Sequence, residues 1–225
     1  MTRIAHIEND MSDKFGIPRQ SGLAEEVIST IVFEPHFRNP DALKGLEDYS
    51  YIWLIWSFDS DSDTGPGEWS PMVRPPRLGG NTRMGVFATR SPNRPNPIGL
   101  SCVRLIDITA SDRGPLIYVA GADLRHGTGI LDIKPYLPYT DSRPDAKGGF
   151  ADAHIGDTLE VIFPDELKAG LSEDIIKAAV ALLKYDPRPS YHDDPTRVYG
   201  MRYASYDFRF TVRDSVLIVT EVKPA

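Results

Sequence analysis

The sequence lacks the residues and patterns that announce many protein classes. Among its 225 residues there is one cysteine, Cys102, so no internal disulfide can form and a reducing compartment fits. Lying in a segment of strand character, that thiol reads as buried and inert. The five histidines, His6, His36, His126, His154 and His192, are scattered without the short spacings of a zinc site, and no metal is expected. No stretch approaches the ~20 apolar residues that cross a bilayer. Met1 to Asp10 has neither the basic segment nor the long apolar run of an export signal. The expectation is a soluble, cytoplasmic protein without membrane contact. Three catalytic or nucleotide signatures are missing as well. There is no G-x-G-x-x-G after a strand, no P-loop and no G-x-S-x-G elbow, which argues against Rossmann, P-loop and α/β-hydrolase chemistry.

Negative charge is absent from one long stretch of an otherwise acidic chain. Net charge is −7, which does not suit a protein that coats nucleic acid indiscriminately. Yet Trp69 to Ile106 contains Arg74, Arg77, Arg83, Arg90, Arg94 and Arg104 and no Asp, Glu or Lys; all 32 acids of the chain lie outside it. Guanidinium groups match carboxylate and phosphate geometry, so this stretch is a candidate for anion recognition. A solvated arginine-rich connector has the same composition.

The chain is mainly β. Tyr51 to Phe58 is a continuous apolar run that reads as a fully buried strand. Val27 to Glu34, Met84 to Ala88, Ser101 to Thr109, Leu116 to Ala120, Leu131 to Tyr136 and Thr158 to Phe163 are further strand candidates, with Gly and Pro clusters between them. Short strands without alternating helices predict a barrel or a sandwich. Asp59-Ser60-Asp61-Ser62-Asp63 reads as a solvated loop tip. One helix is expected after an N-cap at Ser172, ending before Pro187. Tyr206 to Val222 alternates as a hairpin around Asp214-Ser215. This helix and hairpin predict a small α+β C-terminal domain, 149–225, after a β-rich N-terminal domain, 1–148.

Three segments carry a resemblance. Val73 to Leu100 reads VRPPRLGGNTRMGVFATRSPNRPNPIGL, Leu131 to Asp141 reads LDIKPYLPYTD, and Lys14 to Gln20 reads KFGIPRQ. Together they resemble the signatures of the TrmO (TsaA-like) family of β-barrel methyltransferases, and Asp186 to Tyr191, DPRPSY, resembles that family's second domain. The resemblance implies a small β-barrel for the N-terminal domain, S-adenosyl-L-methionine as cofactor and tRNA rather than DNA as partner. The implied reaction is N6-methylation of threonylcarbamoyl-adenosine beside the anticodon, carried out by a homodimer. Carried over by position, the cofactor contacts are Pro18, Arg19, Gln20, Phe58, Asp59, Arg90, Leu100, Leu124, Arg125, His126, Gly127 and Thr128.

The residue chemistry is compatible with that implication. Pro92, Pro95 and Pro97 stiffen the loop that presents Arg90, Arg94 and Asn96. In a strand, Leu131 and Ile133 would face the core while Asp132, Lys134 and Tyr136 line the opposite face. Asp132, Lys134 or Tyr136 is then expected to position or deprotonate the acceptor nitrogen, with Arg94 and Asn96 orienting the base. Two places depart from the family pattern. His126-Gly127-Thr128-Gly129 stands where Asp-Gly-Thr-Pro is usual, and Ile7-Glu8-Asn9-Asp10 where Ile-Arg-Ser-Pro is frequent. A small-molecule or protein methyltransferase, and a catalytically silent RNA-binding protein, are the alternatives these departures leave open.

Overall fold

The computed structural model describes residues 1–58, 69–78, 81–188 and 194–225. In chain order its strands are β1 (Ala5–Glu8), β2 (Ile28–Phe33), β3 (Tyr51–Ser57), β4 (Met72–Val73), β5 (Met84–Gly85), β6 (Ile98–Ser111), β7 (Gly114–Ala120) and β8 (Gly129–Pro135). A short helix, α1 (Pro138–Asp141), then leads to β9 (Glu160–Ile162), α2 (Glu173–Lys184), β10 (Tyr199–Tyr203), β11 (Tyr206–Arg213) and β12 (Val216–Pro224).

Six strands close into a barrel in the order β1-β2-β7-β6-β3-β8, all paired antiparallel. Alternation decides what fills it. Ile52, Leu54 and Trp56 of β3 point inward and are buried, while Tyr51, Trp53 and Ile55 lie half-buried on the outer wall. The apolar run is therefore buried on one face only, because a barrel strand has a single interior side. Ala5, Ile7, Ile31, Val103, Ile117, Val119 and Ile130 complete a dry interior. Cys102 sits in β6 but turns outward, opposite Trp53; it is half-buried, and burial, then the nearby Asp141 charge, pushes its thiol pKa up.

Gly99 shapes one end of this interior. A Cβ there would lie within 2.1 Å of the Trp56 indole. The indole occupies that space and donates from Nε1 to Ser101 Oγ at 2.9 Å.

A second core lies under the sheet β10-β11-β12-β9. Helix α2 starts at Ser172, whose hydroxyl accepts from the Ile175 amide, and packs Ala178, Ala179, Leu182 and Leu183 against Phe208, Phe210, Leu217 and Val219. The hairpin forms around Asp214, in the left-handed region at φ 54. This core also draws Met11, Phe15, Ile17, Ala24 and Val27 from the segment between β1 and β2, so the second core is built from both ends of the chain.

Two expectations change. Only Met84–Gly85 of the Met84 to Ala88 segment is strand, paired with Met72–Val73; Val86–Ala88 curls into a 3₁₀ turn. The Val86 amide bonds the Pro71 carbonyl at 2.9 Å, and the Thr89 hydroxyl closes on the Val86 carbonyl at 2.8 Å, which ends the ladder. The Asp59 to Asp63 run lies outside the described residues.

Because the Trp56 ring and a residue-99 side chain compete for one volume, Gly99→Ala is expected to destabilise the protein by about 2 kcal/mol. Urea denaturation monitored by tryptophan fluorescence checks this.

Candidate functional site

Several of the implied cofactor residues lie at one end of the barrel. There, β1, β3 and β7 end and β6 and β8 begin. The segment 124–128 is held by β1 on one side: the Gly127 amide donates to the Ile7 carbonyl at 2.8 Å, and the Ile7 amide to the Thr128 carbonyl at 3.1 Å. Gly127 takes a left-handed φ of 83, and open space lies where its Cβ would be. Leu124 is buried in the barrel core and Thr128 is buried, while His126 is exposed; Arg125, half-exposed, is engaged with neighbouring groups. Phe58 packs on Trp56 with ring centroids 4.3 Å apart. Its amide bonds the Pro97 carbonyl at 2.9 Å, which ties the proline-arginine loop to the end of β3. The Arg90 guanidinium donates to Gln20 Oε1, bringing two of the three sequence motifs together. Pro18 is buried. Leu100 is 52% exposed on the outer wall.

Arg19 is engaged elsewhere. Its guanidinium donates to the Arg188 carbonyl at 2.8 Å and reaches the Asp186 carbonyl at 3.4 Å. Arg188 in turn forks onto the Asp186 carboxylate at 2.8 and 2.9 Å. The Pro18–Gln20 motif is thereby latched to the start of the DPRPSY segment. Asp59 and residues 189–191 lie outside the described residues.

Asp132, Lys134 and Tyr136 line the outer wall rather than the interior. Three rows cross β6, β3 and β8: Leu100–Ile55–Asp132, Cys102–Trp53–Lys134, and Arg104–Tyr51 with Tyr136, whose amide bonds the Tyr51 carbonyl at 3.0 Å. Leu100 and Asp132 are thus two strand spacings apart on one face, roughly 10 Å. Asp132 Oδ2 pairs with Lys134 Nζ at 2.8 Å, and Asp132 Oδ1 accepts from the Ile133 amide. The Tyr136 ring leans on Trp53 and Tyr51, at 5.9 and 6.3 Å between centroids. Asp132 also opens on a cleft of about 720 Å³ bounded by Leu43, Lys44, Tyr49 and Pro135. A smaller cleft, about 260 Å³, joins Asn96 to Arg3, Ser57 and Leu131. Arg94 is bound to its own loop, donating to the Thr89 and Ser91 carbonyls at 3.2 and 3.1 Å.

Leu131 does not face the core. Trp56 pairs with Ile130 while Ile55 pairs with Asp132, so Leu131 is the extra residue of a β-bulge. The bulge lets Ile130 and Ile133 both turn inward and sends Leu131 to the smaller cleft. A strict period of two could not show this.

Asp123 was not among the sequence candidates. It precedes Leu124 at the same end of the barrel, and Ser101 Oγ, the acceptor for Trp56, donates to its carboxylate. Burial raises its pKa, against opposing pulls from the Ser101 bond, backbone amides and the Arg90 charge. A half-buried carboxyl of shifted affinity among the residues of the barrel end is a functional-site signal. In sequence it is one of 32 acids and nothing marks it.

The two departures from the family pattern touch each other. His126 Nδ1 lies 2.9 Å from the Asn9 carbonyl and 3.2 Å from the Asn9 amide. The Asn9 side chain donates to the Leu124 carbonyl at 2.9 Å, and its Oδ1 accepts from the Met11 amide. Glu8, on the outward side of β1, pairs with Arg113 at 2.6 Å. Among the described residues no cluster of His, Cys, Asp and Glu could hold a metal, and no helix is long and apolar enough to cross a membrane.

A closed barrel with an apolar interior, and with polar residues on one rim and outer wall, defines the class as a small β-barrel protein. Comparison with known proteins narrows the class. Residues 6–142 match the tRNA-methyltransferase O N-terminal domain, and residues 157–225 match the TrmO C-terminal domain. The chain belongs to the TrmO family. It is 35% identical to a tRNA (adenine(37)-N6)-methyltransferase of Escherichia coli K12, over 99% of this chain and 97% of the relative. It is 43% identical to one from Eikenella corrodens, over 77% and 97% respectively. A crystal structure of TrmO from Pseudomonas aeruginosa superposes with a TM-score of 0.77 at 33% identity, covering 100% of this chain and 98% of that one.

The Asp123 shift sets a pH signature. The folded state holds this proton more tightly than the unfolded chain, so its contribution is full below the unfolded carboxylate pKa and is lost as pH rises through the folded one. Asp123→Asn is therefore expected to gain stability relative to wild type as pH rises from the acid side to neutrality, read by thermal melts across that range.

Proposed function

We propose that this protein is an S-adenosylmethionine-dependent tRNA methyltransferase acting on N6 of adenine 37, with threonylcarbamoyl-adenosine as the base it modifies. The single observation that carries the reading is the row Leu100–Ile55–Asp132, which sets an implied cofactor contact and a candidate acid–base group on one outer wall. The names of the Escherichia coli and Eikenella relatives, matched over nearly their whole lengths, support the same reaction.

The residues at the barrel end suit the cofactor. Arg90 with Gln20 offers a fork for a carboxylate. The open flank of Gly127 leaves room for close approach to backbone, and exposed Leu100 offers an apolar face. Bound there, S-adenosylmethionine supplies a methyl carbon on a sulfonium sulfur that leaves as a neutral thioether. The protein's part is alignment of the acceptor nitrogen in line with that carbon. A nitrogen in a urea-like group is a poor nucleophile, and Asp132 takes its proton as the new N–C bond forms. Lys134 steadies Asp132 through the 2.8 Å pair, and Tyr136 packs beside them. Arg94 and Asn96, at the foot of the stiffened loop, orient the base. Arg19, latched to Arg188, sets the position of Pro18 and Gln20. The protein acts in the cytoplasm as a homodimer. Exposed Ile98, Leu100 and Ile106 along β6 support a second copy against that wall.

Labelled methyl from S-adenosylmethionine should enter tRNA that bears threonylcarbamoyl and not the same tRNA lacking it. Asp132→Asn should lower turnover on saturating tRNA by about a hundredfold with cofactor affinity by calorimetry unchanged. Cofactor binding without transfer to any tRNA would move the substrate elsewhere.

A further inference from the structure

The arm formed by β4, β5 and the turn after them carries side chains that none of the chemistry above uses. Val86 anchors the turn: it is buried, its amide is bonded to the Pro71 carbonyl and its carbonyl receives Thr89. The next residue, Phe87, is 72% exposed. A rigid turn that buries one apolar residue and holds its neighbour out in water keeps an apolar surface that folding does not require. Trp69, 43% exposed, lies beside it with ring centroids 5.8 Å apart and planes tilted by 35°. The Arg94 guanidinium, fixed by two loop carbonyls, sits 6.0 Å from the Phe87 centroid. Arg74 and Arg83 on the same arm are exposed and have no carboxylate partner among the described residues.

We propose that Trp69 and Phe87, flanked by Arg74, Arg83 and Arg94, form a stacking platform for an unpaired base of the tRNA anticodon loop. The inference rests on the tRNA reading above and deepens it. Charge selects the occupant: with no acid from Trp69 to Ile106, the arm attracts a polyanion and repels a basic protein surface. The exposed rings select among polyanions. Bases in an RNA duplex are stacked on one another and unavailable, whereas loop bases splay out onto aromatic and guanidinium planes. A lipid headgroup or a free phosphate would need the arginines and leave both rings in water.

The test uses the full chain and two fluorescently labelled RNAs, an anticodon stem-loop and a blunt duplex of equal length. The wild type is expected to prefer the stem-loop. Phe87→Leu, which keeps apolar bulk but removes the ring, should weaken stem-loop binding about tenfold, while Phe87→Trp retains it. Arg83→Gln should reduce the slope of log affinity against log salt by about 0.7, and Phe87→Leu should leave that slope unchanged. Thermal melting and S-adenosylmethionine calorimetry on each variant confirm an intact fold and cofactor site. Wild-type binding to the stem-loop with Phe87→Leu equal to it overturns the platform and leaves the methyltransferase reading standing. Conversion of a dimer to monomers by Phe87→Leu in sedimentation also overturns it, by assigning the rings to a second copy. Cofactor binding without any stem-loop binding by the wild type overturns the tRNA reading and the platform together.

Discussion

Gly99 has no side chain, and the indole of Trp56 fills the volume one would occupy. That contact fixes how β3 and β6 lie against each other at one end of the barrel, and much of the molecule follows from it. With the ring seated, its Nε1 reaches Ser101, and Ser101 reaches Asp123. A line of polar contacts therefore runs from the dry interior to the rim. Phe58 stacks on the same indole and carries the proline-arginine loop through its amide bond to Pro97. Arg90 in that loop then meets Gln20. One packing choice in the wall thus orders three loops distant in sequence.

A six-stranded barrel has little interior volume, and here it is filled by Ile, Leu, Val and Trp side chains. That filling leaves the outer wall and the rim as the surfaces open to a ligand. The antiparallel register of β6, β3 and β8 supplies the ruler, setting Leu100, Ile55 and Asp132 side by side. The bulge at Leu131 is what allows Asp132 and Lys134 to face outward while Ile130 and Ile133 both face in. One short strand thus serves both the interior packing and an outward-facing ion pair. The aromatic rings of Tyr51, Trp53 and Tyr136 stiffen the wall around the ion pair.

The two positions that depart from the family pattern form a single contact. Asn9 ends β1 and His126 sits in the turn before β8, so a change in one alters the surroundings of the other. Nearby, Glu8 is neutralised by Arg113 instead of adding a free negative charge to the rim. The second core reaches the same region through Arg19 and through Met11, Phe15 and Ile17. The C-terminal sheet is therefore a support for the strap that carries Pro18 and Gln20, as well as a unit with its own core.

The sequence by itself determined the local periods: the α2 helix and its Ser172 cap, the Tyr206–Arg213 hairpin strand and the mainly β composition. It also carried the long motifs by which the family is recognised, because they are contiguous and unusual. Motifs are written in one dimension, whereas the apolar run from Tyr51 to Phe58 shows no alternation, and only closure of the barrel sends Ile52, Leu54 and Trp56 inside. Only the tertiary structure decided what no local rule encodes. The bulge at Leu131 depends on a neighbouring strand. The end of the ladder at Val86 depends on the Pro71 carbonyl, and the raised affinity of Asp123 for its proton on burial under residues far away in the chain. Arg19 meets Arg188, and Asn9 meets His126, across more than a hundred positions of sequence. Such contacts are set by where the barrel closes, and barrel closure is a property of the whole register and not of any single segment.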